Sequence, residues 1–120
     1  MQKMLRDIND DRLRVYIVWL PMLPGDSKSW AQTRSDEFSD TRVSYYWDPQ
    51  RLTGQEWNKA LGIGRTAWDV YLLYGPNTRW TDKTPAPDFW MHQLGGVSQA
   101  PYLNEGEFEA KVRQLLAVTK

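Results

Sequence analysis

The sequence predicts an α/β domain in which four strands form one central mixed sheet, with helices on both faces in a three-layer sandwich. Two segments, Leu13–Leu20 and Ala67–Tyr74, are rich in β-branched and aromatic residues and largely apolar on both faces, which is typical of central strands. Helix-capping residues lie between the strand-like segments, so the expected order is β-α-β-α-β-β-α. The 120 residues fit a single domain (1–120), with a core at about 13–118 and an N-terminal extension at 1–12.

The first strand ends in a turn rich in proline and glycine. Asp26 or Ser27 is then suited to cap a helix, because either side chain accepts a hydrogen bond from a free backbone N–H. We expect this helix from about Lys28 to Phe38, half-exposed because few of its residues are apolar. A short strand, Arg42–Trp47, follows, and the connection is long enough for a right-handed parallel crossover.

Capping signals also predict the other two helices. Thr53 and Glu56 have the spacing of a capping box, in which each side chain satisfies the other residue's backbone N–H, and Gly62 is suited to end that helix. Asn104, with Glu107 three residues later, has the same spacing and predicts the start of the final helix.

The last two strands are Ala67–Tyr74 and Phe89–Leu94. The loop between them is longer than a tight hairpin turn and contains no helix signal. We therefore expect the two strands to pair antiparallel.

Composition excludes several classes of function. Fifteen basic and fifteen acidic residues cancel, which disfavours a protein that mainly binds nucleic acid or an anionic membrane. No cysteine is present, so disulfides, thiolate nucleophiles and cysteine-ligated metals are excluded, and one histidine leaves no multi-histidine metal site. We expect no metal and no cofactor. The longest apolar run, Val15–Leu23, is too short to cross a bilayer, and the charged amino terminus does not fit a signal peptide, so the default expectation is a cytoplasmic protein.

The order of the elements and the position of the first loop resemble the thioredoxin-like superfamily over roughly residues 13–118. In that family the loop after the central strand carries the redox cysteines, and Trp19 with Pro21 or Pro24 matches the aromatic residue and proline often found there. This chain lacks the cysteines and also the proline that the family places in cis before its third strand, where Arg65-Thr66-Ala67 stands. The resemblance therefore implies a member without thiol–disulfide exchange or peroxidase activity.

The first strand–helix loop is the main candidate binding site. In open α/β sheets, ligands bind beyond the carboxyl ends of the strands, and a helix N-terminus there can hold a small anion. The loop also has an apolar lip, which suits a protein or small-molecule partner. The alternative is that proline and glycine merely turn the chain and the polar residues merely cap the helix. The candidate residues are Pro21, Met22, Leu23, Pro24, Asp26, Ser27 and Trp30.

Asp69 and His92 are candidates for a separate polar site. Asp69 interrupts an apolar strand, and a buried carboxylate with a raised pKa marks many functional sites. The alternative is an ion pair, for example with Arg65. His92 alternates with Trp90 and Leu94, and to act as a general base it needs an orienting partner. The alternative is a packed histidine whose ring nitrogens are satisfied by neighbours.

Three functions remain open on the sequence. The first is a non-catalytic module that binds a protein partner or small ligand at the first loop. The second is a cysteine-independent enzyme that uses His92, Asp69 or Ser27. The third is a structural protein that assembles as a homodimer through an edge strand or an aromatic patch. Most of the seven tryptophans fit core positions, and Trp80, in a polar loop, is the best candidate for an exposed contact.

Overall fold

The computed structural model describes residues 2–22, 27–36 and 40–118, and within these ranges the chain has four helices and four strands. They are α1 (Gln2–Asp7), β1 (Val15–Trp19), α2 (Lys28–Ser35), β2 (Val43–Trp47), α3 (Leu52–Leu61), β3 (Val70–Leu73), β4 (Phe89–His92) and α4 (Glu105–Val118). The order after α1 is the predicted one. The chain groups into two compact units, Met1–Thr53 and Gly54–Lys120. None of the helices in the described ranges is long and apolar enough to cross a membrane.

The first unit contains a parallel pair of strands joined through a helix. β1 and β2 pair in register from Val15 opposite Val43 to Trp19 opposite Trp47, so the predicted parallel connection is confirmed. The backbone N–H of Asp48 donates to the Trp19 carbonyl at 2.9 Å, which extends the pairing beyond the strand ends. α2 packs against β2.

The N-terminal extension holds a helix, α1, that the sequence reasoning did not predict. Its apolar residues Met4 and Leu5, with Ile8 just beyond its end, are buried. The Arg42 guanidinium donates to the Leu5 and Ile8 carbonyls at 2.5 and 2.6 Å. These carbonyls belong to the end of a helix, where no intrahelical donor is available. Arg42 thereby joins α1 to the start of β2.

The second unit contains an antiparallel pair, β3 and β4, in register from Val70 opposite His92 to Leu73 opposite Phe89. The predicted pairing of these two segments is confirmed. Tyr102 forms a parallel bridge with His92, and α4 packs against β4. The buried apolar residues of this unit are Ala67, Met91, Leu94, Phe108 and Val112.

The prediction of a central four-stranded mixed sheet is wrong, and so is the prediction of a three-layer sandwich with that sheet in the middle. Among the described residues, β1 pairs with β2 and β3 pairs with β4, giving two sheets of two strands each. A segment that is apolar on both faces predicts that the strand is covered. It does not specify which strand lies along each edge, because that choice depends on contacts distant in sequence.

Two of the predicted helix caps are confirmed. The Ser27 hydroxyl accepts from the Trp30 backbone N–H at 3.1 Å, and the Asn104 side chain accepts from the Glu107 backbone N–H at 3.0 Å. Both are short-range bonds of the usual N-cap type. α2 ends at Ser35, and Phe38, where the predicted helix ended, lies outside the described residues.

The predicted cap of α3 is wrong. The helix begins at Leu52, one residue before the expected cap Thr53. The Asp48 carboxylate, which is buried, accepts from the backbone N–H groups of Leu52 and Thr53 at 3.0 and 2.7 Å and also from the Thr53 hydroxyl. Asp48 therefore caps the helix across the turn that follows β2. The predicted end at Gly62 is confirmed, since Gly62 follows α3 with φ of 67°.

Candidate functional site

The candidate site lies in the first unit, where the strands β1 and β2 end. β1 ends at Trp19, and Pro21 and Met22 follow as half-buried residues, with the Met22 N–H donating to the Leu20 carbonyl at 3.0 Å. The predicted members Leu23, Pro24 and Asp26 lie outside the described residues. Ser27 and Trp30 begin α2. Of the seven predicted residues, the structure therefore describes Pro21, Met22, Ser27 and Trp30, and we call these four the β1–α2 surface.

Arg51 fixes the backbone at the beginning of this loop. Its guanidinium donates two bonds to the Pro21 carbonyl, from Nε at 3.2 Å and from a terminal nitrogen at 2.7 Å. Arg51 itself has φ of 59°, a left-handed conformation that is uncommon for a residue with a side chain. The loop after β1 is thus held by a residue from the loop after β2.

Asp48 organises the loop after β2. Burial alone would raise the pKa of its carboxyl group, but hydrogen bonds from Thr53 and from the first N–H groups of α3 outweigh burial, and the pKa is lowered. Its negative charge also lies at a helix N-terminus, where the helix dipole favours an anion. The carboxyl ends of β1 and β2 therefore both lead into capped helices.

Trp30 is the most exposed large side chain of the β1–α2 surface. It is 44% exposed although it lies in the first turn of α2. Its ring packs edge-on against Trp19, with ring centres 5.5 Å apart, and the Arg34 guanidinium lies 5.8 Å from its ring centre. The indole is contacted by Trp19 and Arg34 and is still exposed to solvent.

Ser27 is occupied as a helix cap. Its hydroxyl oxygen accepts the Trp30 N–H. A serine nucleophile needs a base within hydrogen-bond reach of that oxygen, and among the described residues no side-chain base is bonded to it. Ser27 is therefore a structural residue of α2.

His92 is buried and both of its ring nitrogens have hydrogen-bond partners. This is the alternative to a general base that the sequence left open. It is 2% exposed, Nδ1 accepts from the Leu94 N–H at 3.0 Å, and Nε2 lies 2.9 Å from the Ala100 carbonyl. Because Nδ1 accepts, Nε2 carries the hydrogen and donates it to Ala100. Both nitrogens are engaged by backbone groups, which leaves neither for a substrate.

Asp69 lies just before β3 and is exposed, whereas the sequence pattern placed it within a strand. Its φ is 53°, and its carbonyl accepts from the Gln93 N–H at 2.9 Å. Within the described residues its carboxylate has no hydrogen-bond or ion-pair partner, and partial desolvation raises its pKa. The expected ion pair with Arg65 is absent there, since Arg65 donates to the Gly95 carbonyl at 2.9 Å.

Exposed aromatic residues occur in the first unit outside the β1–α2 surface. Tyr16 on β1 and Tyr46 on β2 stack with ring centres 6.5 Å apart, and both are exposed. They are the residues in this unit that best fit the aromatic patch considered for a homodimer.

Sequence reasoning missed Arg51 and Asp48. The signal for Asp48 was present, since an aspartate directly after a strand and before a proline is a common way to start a turn or cap. Arg51 had no such signal, because its partner, Pro21, lies 30 residues earlier.

Metal ligation has no support in the part of the chain that the structure describes, where no group of three or more His, Asp or Glu side chains is placed to hold an ion. Comparisons with protein-family models, with curated proteins and with solved structures give no match. The resemblance to the thioredoxin-like superfamily therefore stays a prediction.

Proposed function

We propose that the chain is a non-catalytic binding module whose protein partner docks on the β1–α2 surface. The observation that carries this proposal is Trp30, an exposed indole held in place by Trp19 and Arg34. Interface residues that contribute most to affinity are commonly tryptophan, tyrosine and arginine, because they bury large areas with little loss of side-chain freedom.

The rest of the surface supports binding rather than catalysis. The Pro21 backbone is fixed by Arg51 and the start of α2 by Ser27, so docking on these groups orders few additional atoms. The Ser27 hydroxyl, the reactive polar group among the four described residues of this surface, is engaged as a helix cap. A surface of this kind recognises a partner by shape and apolar contact.

Exposed charges indicate the chemistry of the partner. Lys28 and Arg34 flank Trp30 on α2, and both are exposed. A partner with an apolar side chain bordered by acidic residues complements this arrangement, since opposite charges at the rim guide association.

The test compares Trp30→Ala with Gln32→Ala, a matched change at an exposed position on the same helix. The wild-type chain is used as bait in a cell extract, the captured protein is purified, and its affinity for each variant is measured by calorimetry. We expect Trp30→Ala to weaken binding about tenfold or more and Gln32→Ala to leave it nearly unchanged.

A second variant, Met22→Asp, examines the loop next to Trp30. It is expected to abolish binding while the unfolding midpoint in urea stays close to that of the wild type. Equal affinity of the wild type, Trp30→Ala and Met22→Asp for the captured protein would refute the proposal. Unfolding of Met22→Asp would assign Met22 to the core and leave Trp30→Ala as the deciding variant.

A further inference from the structure

An aromatic cluster in the second unit consists of Trp57 on α3, Tyr74 after β3 and Trp80 in the long loop that follows. The Trp57 indole N–H donates to the Tyr74 hydroxyl at 2.8 Å. Trp80 packs on Tyr74 with ring centres 4.9 Å apart and meets Trp57 at 6.3 Å. Trp80 is nevertheless 57% exposed, so the cluster has an open side.

Tyr74 of this cluster binds a segment of its own chain, Thr84–Pro87, which we call the proline segment. The Tyr74 hydroxyl donates to the Pro85 carbonyl at 2.7 Å while it accepts from Trp57. Next to this contact, the Thr84 hydroxyl lies 3.5 Å from the Glu56 carboxylate. One aromatic hydroxyl therefore links the ring cluster to the segment.

The sequence of the proline segment, Thr-Pro-Ala-Pro, favours an extended polyproline conformation. Proline fixes its own φ near −65°, and the residue before a proline is directed to the extended region. Since Thr84 and Ala86 each precede a proline, all four residues have this preference. Pro85 and Pro87 have no N–H, so at these two residues the backbone can pair only through its carbonyl groups.

Both ends of the segment are tied to the fold. After it, the Asp88 N–H donates to the Leu73 carbonyl at 2.8 Å, and the Asp88 carboxylate accepts from the Gly75 N–H. The prolines themselves are half-buried and Ala86 is exposed. The contact in the middle of the segment is the bond from Tyr74.

Aromatic side chains with a hydroxyl or indole donor that reaches a proline carbonyl are the common chemistry for recognising polyproline segments. We propose that the Trp57–Tyr74–Trp80 cluster is a recognition site for proline-containing extended peptides, occupied in the free protein by the chain's own proline segment. The resident segment identifies the class of ligand. This inference is independent of the β1–α2 surface, which uses other residues in the other unit.

Tyr74 is suited to act as a permanent donor at this site. Burial raises the pKa of its hydroxyl, although the bond from Trp57 acts in the opposite direction. The group therefore stays protonated at neutral pH and keeps a hydrogen to donate.

A peptide from another molecule has to displace the resident segment. The tethered segment competes at a high effective concentration, so the wild-type chain binds an external peptide more weakly than the site itself would. A substitution that weakens the contact between the proline segment and the cluster, and leaves the three aromatic residues unchanged, is expected to strengthen the binding of an external peptide.

The test uses the peptide Ac-Lys-Thr-Pro-Ala-Pro-Asp-NH2 as probe and Ac-Lys-Thr-Ala-Ala-Ala-Asp-NH2 as control. Binding is followed through the indole N–H resonances of Trp57 and Trp80 in nitrogen-15 labelled protein. We expect the double variant Pro85→Ala/Pro87→Ala to bind the probe about tenfold more tightly than the wild type. Pro76→Ala, which changes an exposed proline of the same loop, is the matched control and is expected to bind as the wild type does.

The hydroxyl is tested by adding Tyr74→Phe to the double variant, which keeps the ring and is expected to lower probe affinity about tenfold. Should the double variant lose its native spectrum, Pro85→Ala alone replaces it under the same criteria. The inference is overturned if the folded variant shows no saturable shift with millimolar probe. It is equally overturned if the control peptide binds as tightly, or if the shifts occur at Trp30 and leave Trp57 and Trp80 unmoved.

Discussion

The Arg42 side chain joins the N-terminal helix to the strand β2. Its guanidinium reaches the Leu5 and Ile8 carbonyls and is itself held by the Asp40 carboxylate at 2.6 Å. Only 11% of its side chain is exposed. A planar guanidinium can serve several carbonyls and a carboxylate together, which a lysine ammonium cannot do in the same geometry.

Arg42→Ala is therefore expected to lower the free energy of unfolding by about 2–3 kcal/mol, because it leaves the Leu5 and Ile8 carbonyls without the guanidinium donor and removes the ion pair with Asp40. Arg42→Lys is expected to give a smaller loss. Arg6→Ala, at an exposed position of α1, is the control and should change stability by less than about 0.5 kcal/mol. Urea unfolding measures the free energy of unfolding of all three variants. An equal loss of stability in Arg42→Ala and Arg6→Ala would contradict the role of Arg42 in joining α1 to β2.

Acidification acts on the same contact. The bond from Arg42 lowers the pKa of Asp40 to about 2, below its unfolded value of about 4. Because the folded pKa is depressed, this carboxylate stabilises the fold above pH 4, and its contribution is lost as the pH falls from about 4 to 2.

The urea midpoint of the wild type should exceed that of Asp40→Asn at pH 7, and the difference should shrink steadily between pH 4 and pH 2. Asp82→Asn, an exposed carboxylate in the loop before β4, is the control and should follow the wild type at each pH. If the difference in urea midpoint between the wild type and Asp40→Asn stayed constant down to pH 2, the Asp40–Arg42 pair would not be the cause of that difference.

Short-range residue roles could be predicted from the sequence, and long-range ones could not. Asn104 is predictable as a cap, and Ser27 as one of two candidate caps with Asp26, because a cap bonds a backbone N–H only three residues away. The apolar neighbours of Asp69 predict that it lies in a strand, whereas its φ of 53° is not extended and β3 begins only at Val70. Arg51 carries no local pattern that points to Pro21.

At the scale of elements, α3 shows how a helix start can be shifted by a residue outside it. Thr53 and Glu56 have capping-box spacing, but Asp48 lies closer to the free N–H groups once the turn after β2 is formed. Its carboxylate accepts from two of these groups, and the Thr53 hydroxyl becomes a donor to it.

Asp48→Ala is accordingly expected to lower stability by about 1–2 kcal/mol, the usual effect of losing an N-cap, and Thr53→Ala by less. Thermal or urea unfolding of the two variants compares them directly. A greater loss of stability in Thr53→Ala than in Asp48→Ala would show that Thr53, and not Asp48, is the more important cap of α3.

Most elements were predictable because each leaves a local periodicity or cap, and the parallel and antiparallel pairings followed from the connections between them. The helix α1 was missed although Met4, Leu5 and Ile8 have helical spacing, because six residues give a weak pattern. The four-stranded sheet was wrong because periodicity reports the burial of a strand and carries no information on its neighbours.

For the whole molecule, the absence of cysteine determines which redox reactions the chain can carry out. Without cysteine, the chain has no thiolate to attack a disulfide or a peroxide. The purified protein is expected to show no insulin-disulfide reductase and no thiol-dependent peroxidase activity, with a dithiol protein as positive control. Turnover that persists after small-molecule thiols are removed would contradict this expectation.

The contact between Arg42 and α1 also has a consequence for the order of events during synthesis. The Leu5 carbonyl is made 37 residues before the guanidinium that pairs with it. At about 5–20 residues per second, a ribosome needs roughly 2–7 s to add that interval. During this time the Leu5 carbonyl lacks the guanidinium that binds it in the folded protein. The bonds between Arg42 and α1 can form only after the start of β2 has left the ribosomal exit tunnel.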